Sequence, residues 1–361
     1  MESTNKEDIH SAIRGKDDLK RKNISDTAKF HFFLWLSIAL LVVAFVASLS
    51  VGRYSIPYEE TARILLSNII PLEQTWTELQ EAVVMTLRLP RAVAAIIIGA
   101  ALGLSGATYQ SIFKNPMASP DLLGVSSGAC VGAAIAILLS LGSTIIQIFA
   151  FAGSLLAVGI TITIPRLIRS ESTTMLILSG IVVGTLMASI LNFIKFVADP
   201  ESTLAEITYW TMGSVSTVTF EQMLPVLPPI FICIIIILLM RFRLNALSLG
   251  DNEAKALGIN IRNTRGIFIL CSTLITASSV CIAGTIGWVG LIIPHAARIL
   301  IGPDNKKMLP ITIVFGGIFL LVIDVLCRTL TAADLRLGIL TGIIGAPVFL
   351  LILVNQKRKI E

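Results

Sequence analysis

LRLPRAVAAIIIGAALGLSGATYQ (residues 87–110) leads directly into SIFKNPMASPDLLGVSSGACVG (residues 111–132). Two apolar segments punctuated by glycine flank a short polar break, Lys114 to Asp121, which carries Pro116 and Pro120. Arg88 and Arg91 stand at the front edge. A helix on the surface of a soluble core keeps one polar face, and neither segment has one. Small-residue helices this close together suit packing in lipid and lining a path through it.

The rest of the chain has the same character. Hydrophobic residues make up 55% of the 361 and charged ones only 14%, against ~25% charged in a soluble domain. Mean hydropathy is +0.85. Apolar runs of about 20 residues, each able to cross ~30 Å of hydrocarbon, recur almost throughout. They are continuous rather than alternating, which excludes a β-barrel. The expected fold class is all-α, a polytopic membrane protein with about ten transmembrane helices.

Those spans are expected at 32–51, 89–111, 122–141, 143–165, 173–197, 222–240, 264–283, 285–301, 309–330 and 336–354. An even number returns both termini to one side. Of the 28 Lys and Arg residues, twenty-one fall on the side of the N-terminal tail, with its Lys20-Arg21-Lys22 cluster, the loop Arg241 to Arg265 and the terminal Lys357-Arg358-Lys359. The other seven are Arg53, Arg63, Arg88, Arg91, Lys195, Arg328 and Arg336. This bias puts both termini in the cytosol, in a multi-pass protein of the cytoplasmic (inner or plasma) membrane. The net charge of +5 then reflects orientation, not nucleic-acid binding. The first 29 residues are hydrophilic and mixed in charge, so no cleavable signal is expected. They form a cytosolic tail, 1–29, ahead of a membrane domain, 30–361.

Outside the spans, residues 53–86 hold Pro57-Tyr58-Glu59-Glu60 and an amphipathic run through Leu66. Residues 198–221 set Tyr209 and Trp210 among polar residues, as a short helix at the outer interface would. Gly99 and Gly103, Gly128 and Gly132, Gly180 and Gly184, and Gly338 and Gly342 each sit four apart on one helix face. That spacing lets backbones approach closely, and generic tight packing accounts for most of it. Cys130, Cys233, Cys271, Cys281 and Cys327 lie in or beside apolar runs without CxxC spacing and read as small buried hydrophobes.

Several chemistries lack their residues. Gly15-Lys16 is followed by Asp17, without the glycine frame of a Walker A loop. The clear intramembrane acid is Asp324, and Arg328 one turn on makes a self-neutralising bridge a better reading than a proton relay. An ion-coupled secondary transporter would need a further, unpaired acid. His10, His31 and His295 do not cluster, so no metal site is expected, and no catalytic constellation lies in the spans. His295 reads as structural, beside Pro294, which kinks a short span. A membrane path without its own energy source needs a partner.

LSLGDNEAKALGINIRNTRG, residues 247–266, offers a docking point. Leu249, Ala254, Leu257 and Ile259 alternate with Asp251, Glu253 and Lys255, and Gly250 and Gly258 bracket a short amphipathic helix. Such a helix either seats in a cleft of another protein or is a solvated connector. Spacing alone leaves both readings open.

Taken together, the chain resembles the iron-siderophore, haem and cobalamin importer permeases, the membrane subunits of binding-protein-dependent ABC transporters. The resemblance covers about residues 32–354. It is carried by LRLPR with GAALGLSGATYQ, by NPMASPDLLGVSSGA, by SLGDNEAKALGI, by GTIGWVGLIIPHAARIL and by LGILTGIIGAPVFLLIL.

The resemblance implies a permease that works as a dimer, with a second copy or a paralogue, around a path at the dimer interface. Two cytosolic ABC ATPase subunits would drive it, holding ATP and magnesium that this chain does not bind; no cofactor is expected here. An extracytoplasmic solute-binding protein would deliver an iron-siderophore or related chelate, with haem and cobalamin as alternatives. The coupling helices of the family map onto about 247–262, with Leu249, Gly250, Asp251, Glu253, Ala254, Lys255, Leu257 and Gly258 as the coupling residues. The fifth and tenth spans inherit the path, with Ser179, Ser189 and Asn192 as its polar lining or, equally, as packing groups. Arg88, Arg91 and Arg328 match outward arginines that dock the binding protein. Membrane lipid is the other partner: Arg88 and Arg91 could instead anchor headgroups, and Arg328 could instead bridge Asp324. AADLRLG at 332–338 departs from the family, with Asp334 and Arg336 where relatives usually carry glutamate and proline.

Overall fold

The computed structural model describes residues 27–169, 172–331 and 333–357; most of the hydrophilic tail and the end of the terminal basic cluster lie outside them. Among the described residues every regular element is helical. In order they are α1 (Thr27–Ser50), α2 (Tyr58–Ser67), α3 (Glu78–Ala82), α4 (Leu89–Phe113), α5 (Val125–Leu138), α6 (Ser143–Leu167), α7 (Thr173–Val197) and α8 (Thr203–Thr211). There follow α9 (Phe220–Met223), α10 (Leu227–Leu249), α11 (Asp251–Ala256), α12 (Ile261–Ala283), α13 (Val289–Ile301), α14 (Asn305–Thr329) and α15 (Leu337–Lys357). Seven helices are long and apolar enough to cross a membrane: α1, the rod Glu78–Phe113, α6, α7, α10, α12 and α14. α5, α13 and the first part of α15 are shorter apolar helices. They follow the order of the spans expected from the sequence.

Where boundaries differ, local chemistry accounts for it. α10 runs on to Leu249, past the expected end, because RFRLNALSL contains no helix breaker and long arginine stems can carry charge beyond the apolar edge. α12 starts early, where the Asn260 side chain caps it by accepting from Asn263 N–H. α14 starts early for the same reason, with Asp304 accepting from Lys306 N–H. α5 starts late because a 3-10 turn, Pro120–Leu123, and left-handed Gly124 precede it.

α4 is the hub, buried along almost its whole length and packed against α10, α12, α13 and α14. A Cβ on Gly99 would run into the Gly316 carbonyl and lie 2.7 Å from Leu320 Cβ, so α4 and α14 meet backbone to backbone. Gly128 and Gly153 join α5 to α6 in the same way. By contrast, a Cβ at Gly184 or Gly342 would meet nothing nearer than 3.8 Å, so the second member of those pairs does not close a helix contact. Between α4 and α12 the contact is polar. Ser105 Oγ lies 2.9 Å from Thr276 Oγ1 and donates to Ser272 O at 3.0 Å, while Tyr109 Oη lies 3.2 Å from Thr273 Oγ1. All five cysteines are buried and unbridged, as expected.

The break between α12 and α13 is held by neighbours. Ser214 N–H donates to Ala283 O at 2.7 Å, and Thr285 Oγ1 donates to Thr211 O. Leu337 and Gly338 N–H groups reach Gly213 O and Met212 O at 2.9 and 3.0 Å. Irregular backbone among apolar helices is tolerated only where protein supplies such partners. α8 is the short helix expected near Tyr209, and Arg336 lies over the Tyr209 ring at 5.0 Å.

Candidate functional site

At the end carrying the 247–266 segment, Gly250 ends α10 and α11 starts at once; Gly258 adopts a left-handed φ of +74°, and α12 then begins at Ile261. The glycines thus bracket a short helix, as their positions predicted. Ala254 is its buried keel, fully covered. Leu249 and Leu257 are 71% and 56% exposed, and Glu253 and Lys255 are exposed beside them. Two large apolar side chains held in the open at either end of this tethered helix form a surface suited to a partner's cleft.

Asp251 is the tether. It accepts from Arg265 NH2 at 3.1 and 3.2 Å and lies 3.6 Å from Lys114 Nζ, so α11 is tied to the start of α12 and the end of α4. Burial pushes the Asp251 carboxyl up, but Arg265 and Lys114 outweigh it and hold it below its ordinary value. Lys114 itself takes a left-handed φ of +50° at the α4 cap. Nearby, Asn245 bonds Asp304 Oδ1 at 2.6 Å and accepts from Asn305 N–H at 2.8 Å, linking the end of α10 to the start of α14. The sequence reading passed over this pair; the aspartate standing just before an apolar run was its signal.

At the other end the arginines do not form a docking edge. Arg88, Arg91 and Arg328 are 6%, 9% and 6% exposed, and their hydrogen bonds turn inward. Arg88 NH1 donates to Leu49 O and Ser50 O at 2.7 and 2.8 Å, and its NH2 donates to Tyr54 O. Arg328 NH2 donates to Ser48 O at 2.7 Å. Both therefore cap the last carbonyls of α1, which have no partner within that helix and carry its negative dipole end. Arg91 donates to Asp324 Oδ1 from Nε and to Asp334 Oδ2 from NH1, each at 2.7 Å. Arg328 Nε also faces Asp324 Oδ2 at 3.7 Å, the bridge expected one turn apart. The outward position of LRLPR in sequence is satisfied by helix capping and ion pairing within the chain. The lipid-anchor reading of Arg88 and Arg91 falls with the docking one. Asp334, the departure from the family pattern, is a partner of Arg91.

The three side chains expected along a path do not share a face. Ser189 and Asn192 are exposed on α7, but Ser179 is 4% exposed, donates to Met175 O at 2.8 Å and lies beside Gly180, which packs on the Leu122 carbonyl. A Ser179 hydroxyl spent on its own helix is a packing group. The open face of α7 is mostly apolar, with Ile181, Val182, Leu186, Phe193 and Phe196 exposed; α15 likewise exposes Ile339, Ile343 and Leu350.

The fold and sequence have counterparts among known proteins. The family model of the FecCD transport family matches residues 40–355. The chain belongs to the FecCD transport family. Among relatives, the molybdate import system permease protein MolB of Haemophilus influenzae is 37% identical over 88% of this chain and 94% of its own length. A probable iron chelatin transport system permease of Helicobacter pylori is 36% identical over 89% of this chain and 98% of its own. A solved structure described as a metal-chelate type ABC transporter in an inward-facing conformation superposes with a TM-score of 0.80 at 34% identity, covering 89% of this chain and 98% of that one. As a FecCD-family chain the protein is a multi-pass ABC importer permease, not an enzyme.

Proposed function

We propose that this FecCD-family permease translocates an iron-siderophore or related metal chelate across the cytoplasmic membrane, with both termini cytosolic. Its energy comes from hydrolysis of ATP, held with magnesium by two cytosolic ATPase subunits that grip α11. A second copy or a paralogue packs on the open faces of α7 and α15, and an outer solute-binding protein delivers the cargo. The carrying observation is α11 itself: a tethered lever with Leu249 and Leu257 exposed at the end of the long α10 rod. Movement transmitted through α10 and α12 reaches the membrane interior as a rigid-body shift. The iron chelatin relative and the metal-chelate type structure support chelate cargo.

The molybdate relative favours a second cargo, a metal oxyanion. Reconstitution into vesicles with the neighbouring ATPase and binding protein decides between them. ATP-dependent uptake of a labelled ferric chelate, with no uptake of molybdate, is the expected result. Molybdate uptake alone would overturn the cargo assignment, and uptake of either without ATP would overturn the ATPase-driven reading.

A further inference from the structure

Between α6, the start of α7 and α12 lies a groove of about 1020 Å³, reaching the turn after α6 and the base of α11. Its mouth gathers Arg166, Arg169, Lys255, Arg262 and Arg265 around one carboxylate, Asp251. Arg265 is engaged by Asp251, but among the described residues Arg166, Arg169, Lys255 and Arg262 have no ion-pair partner. Deeper in, the lining turns apolar: Leu155, Val158, Ile162, Leu176, Ile269 and Leu270.

The depth has a natural measure. Leu155 to Arg166 on α6 and Arg262 to Thr273 on α12 each cover eleven steps of helix, which at 1.5 Å per residue is about 16 Å. That is half of the ~30 Å hydrocarbon core, the thickness of one leaflet. The slot is also empty of protein at its walls: a Cβ on Gly159 of α6 or Gly266 of α12 would meet no atom within 4 Å. A small anion would use the charges and leave the apolar length idle. An amphiphile with an anionic head uses both.

We propose that this groove is a binding site for an anionic phospholipid of the cytosolic leaflet, its phosphate on the arginines at the mouth and an acyl chain along the apolar wall. The leaflet rests on the cytosolic placement of α11 proposed above. Lipid retention is read on the full chain without its ATPase, so a chain that keeps the lipid but fails to capture the ATPase defeats that placement's functional reading and not this site.

The test is native mass spectrometry of the full chain in mixed micelles holding equal phosphatidylglycerol and phosphatidylcholine. Phosphatidylglycerol should be retained over phosphatidylcholine by about tenfold or more, and excess inorganic phosphate should not displace it. Replacing Arg166, Arg169 and Arg262 together by Gln should abolish the preference. Gly159→Phe, which fills the apolar slot and leaves every charge in place, should reduce retention by a similar factor and decides the matter if the triple variant fails to fold. Equal retention of the two lipids, unchanged preference in a folded triple variant, full retention in Gly159→Phe, or displacement by phosphate would each overturn the proposal.

Discussion

Arg91 Nε stands 2.7 Å from Asp324 Oδ1, and Asp324 is wholly buried on α14. A carboxylate there has no water to fall back on, so its charge is tolerable only with a cation against it. Arg91→Ala should destabilise the protein by about 3–5 kcal/mol, seen as a lower unfolding temperature in detergent. The pair can be separated from a docking role by a double substitution. Arg91→Met with Asp324→Asn should cost less than Arg91→Met alone, because it removes a buried carboxylate left with only the longer contact to Arg328 at 3.7 Å. A double cost equal to the sum of the two single costs would mean that the two residues do not act together.

Asp334 is the weaker partner of the same guanidinium. Its side chain is 35% exposed, against none for Asp324, so water can replace Arg91 when the bond is lost. Asp334→Asn should therefore lower stability by less than Asp324→Asn, and limited proteolysis should cut the α14–α15 connection faster. Equal loss of stability in both variants would place Asp334 deeper in the ion-pair network than its exposure implies.

The close approach of α4 and α14 can be tested by adding bulk. A Cβ at Gly99 collides with backbone, which cannot yield as a side chain tip can. Gly99→Leu should cost about 1–3 kcal/mol or more through overpacking, and Gly342→Ala, whose Cβ would make only an ordinary contact 3.8 Å from Trp288 Nε1, should change the unfolding temperature little. Matching effects at the two positions would show that the spacing of small residues, not the contact, sets the stability.

Much of the fold was legible because lipid leaves few options: long apolar runs must be helices. Gly250 and Gly258 marked α11 because a glycine can end a helix wherever it falls. Arg88, Arg91 and Arg328 were misread for a physical reason. Sequence position puts them at the outer ends of spans, but it does not reveal that the α1 carbonyls at Ser48 to Ser50 lie within reach. Long-range partners of this kind leave no local trace. Ser179 failed similarly: period 3.6 separates its face from that of Ser189 and Asn192 only once it is known which face is covered.

The tether at Asp251 carries a pH expectation. Its folded value is depressed, so the tie to Arg265 and Lys114 is present above the ordinary carboxylate range of about 4 and is lost as pH falls through the lowered value. Between pH 8 and pH 5 the mobility of α11, followed by a spin label at position 257, should stay constant. Asp251→Asn should raise it across that whole range. A step near pH 6 in the unaltered tether would assign the contact to another group.

Leu257 offers the sharpest separation between a lever and a solvated connector. It is 56% exposed and follows α11 directly, so replacing it removes nothing from the core. Leu257→Glu should leave membrane insertion and unfolding temperature unchanged, within about 0.5 kcal/mol. Association with the ATPase should be lost, because a carboxylate would enter an apolar cleft unpaired. Leu257→Met should restore it, since thioether and isobutyl side chains fill similar volumes. Co-purification of the ATPase with the glutamate variant at normal yield would leave α11 a connector, and the energy coupling would have to enter the permease elsewhere.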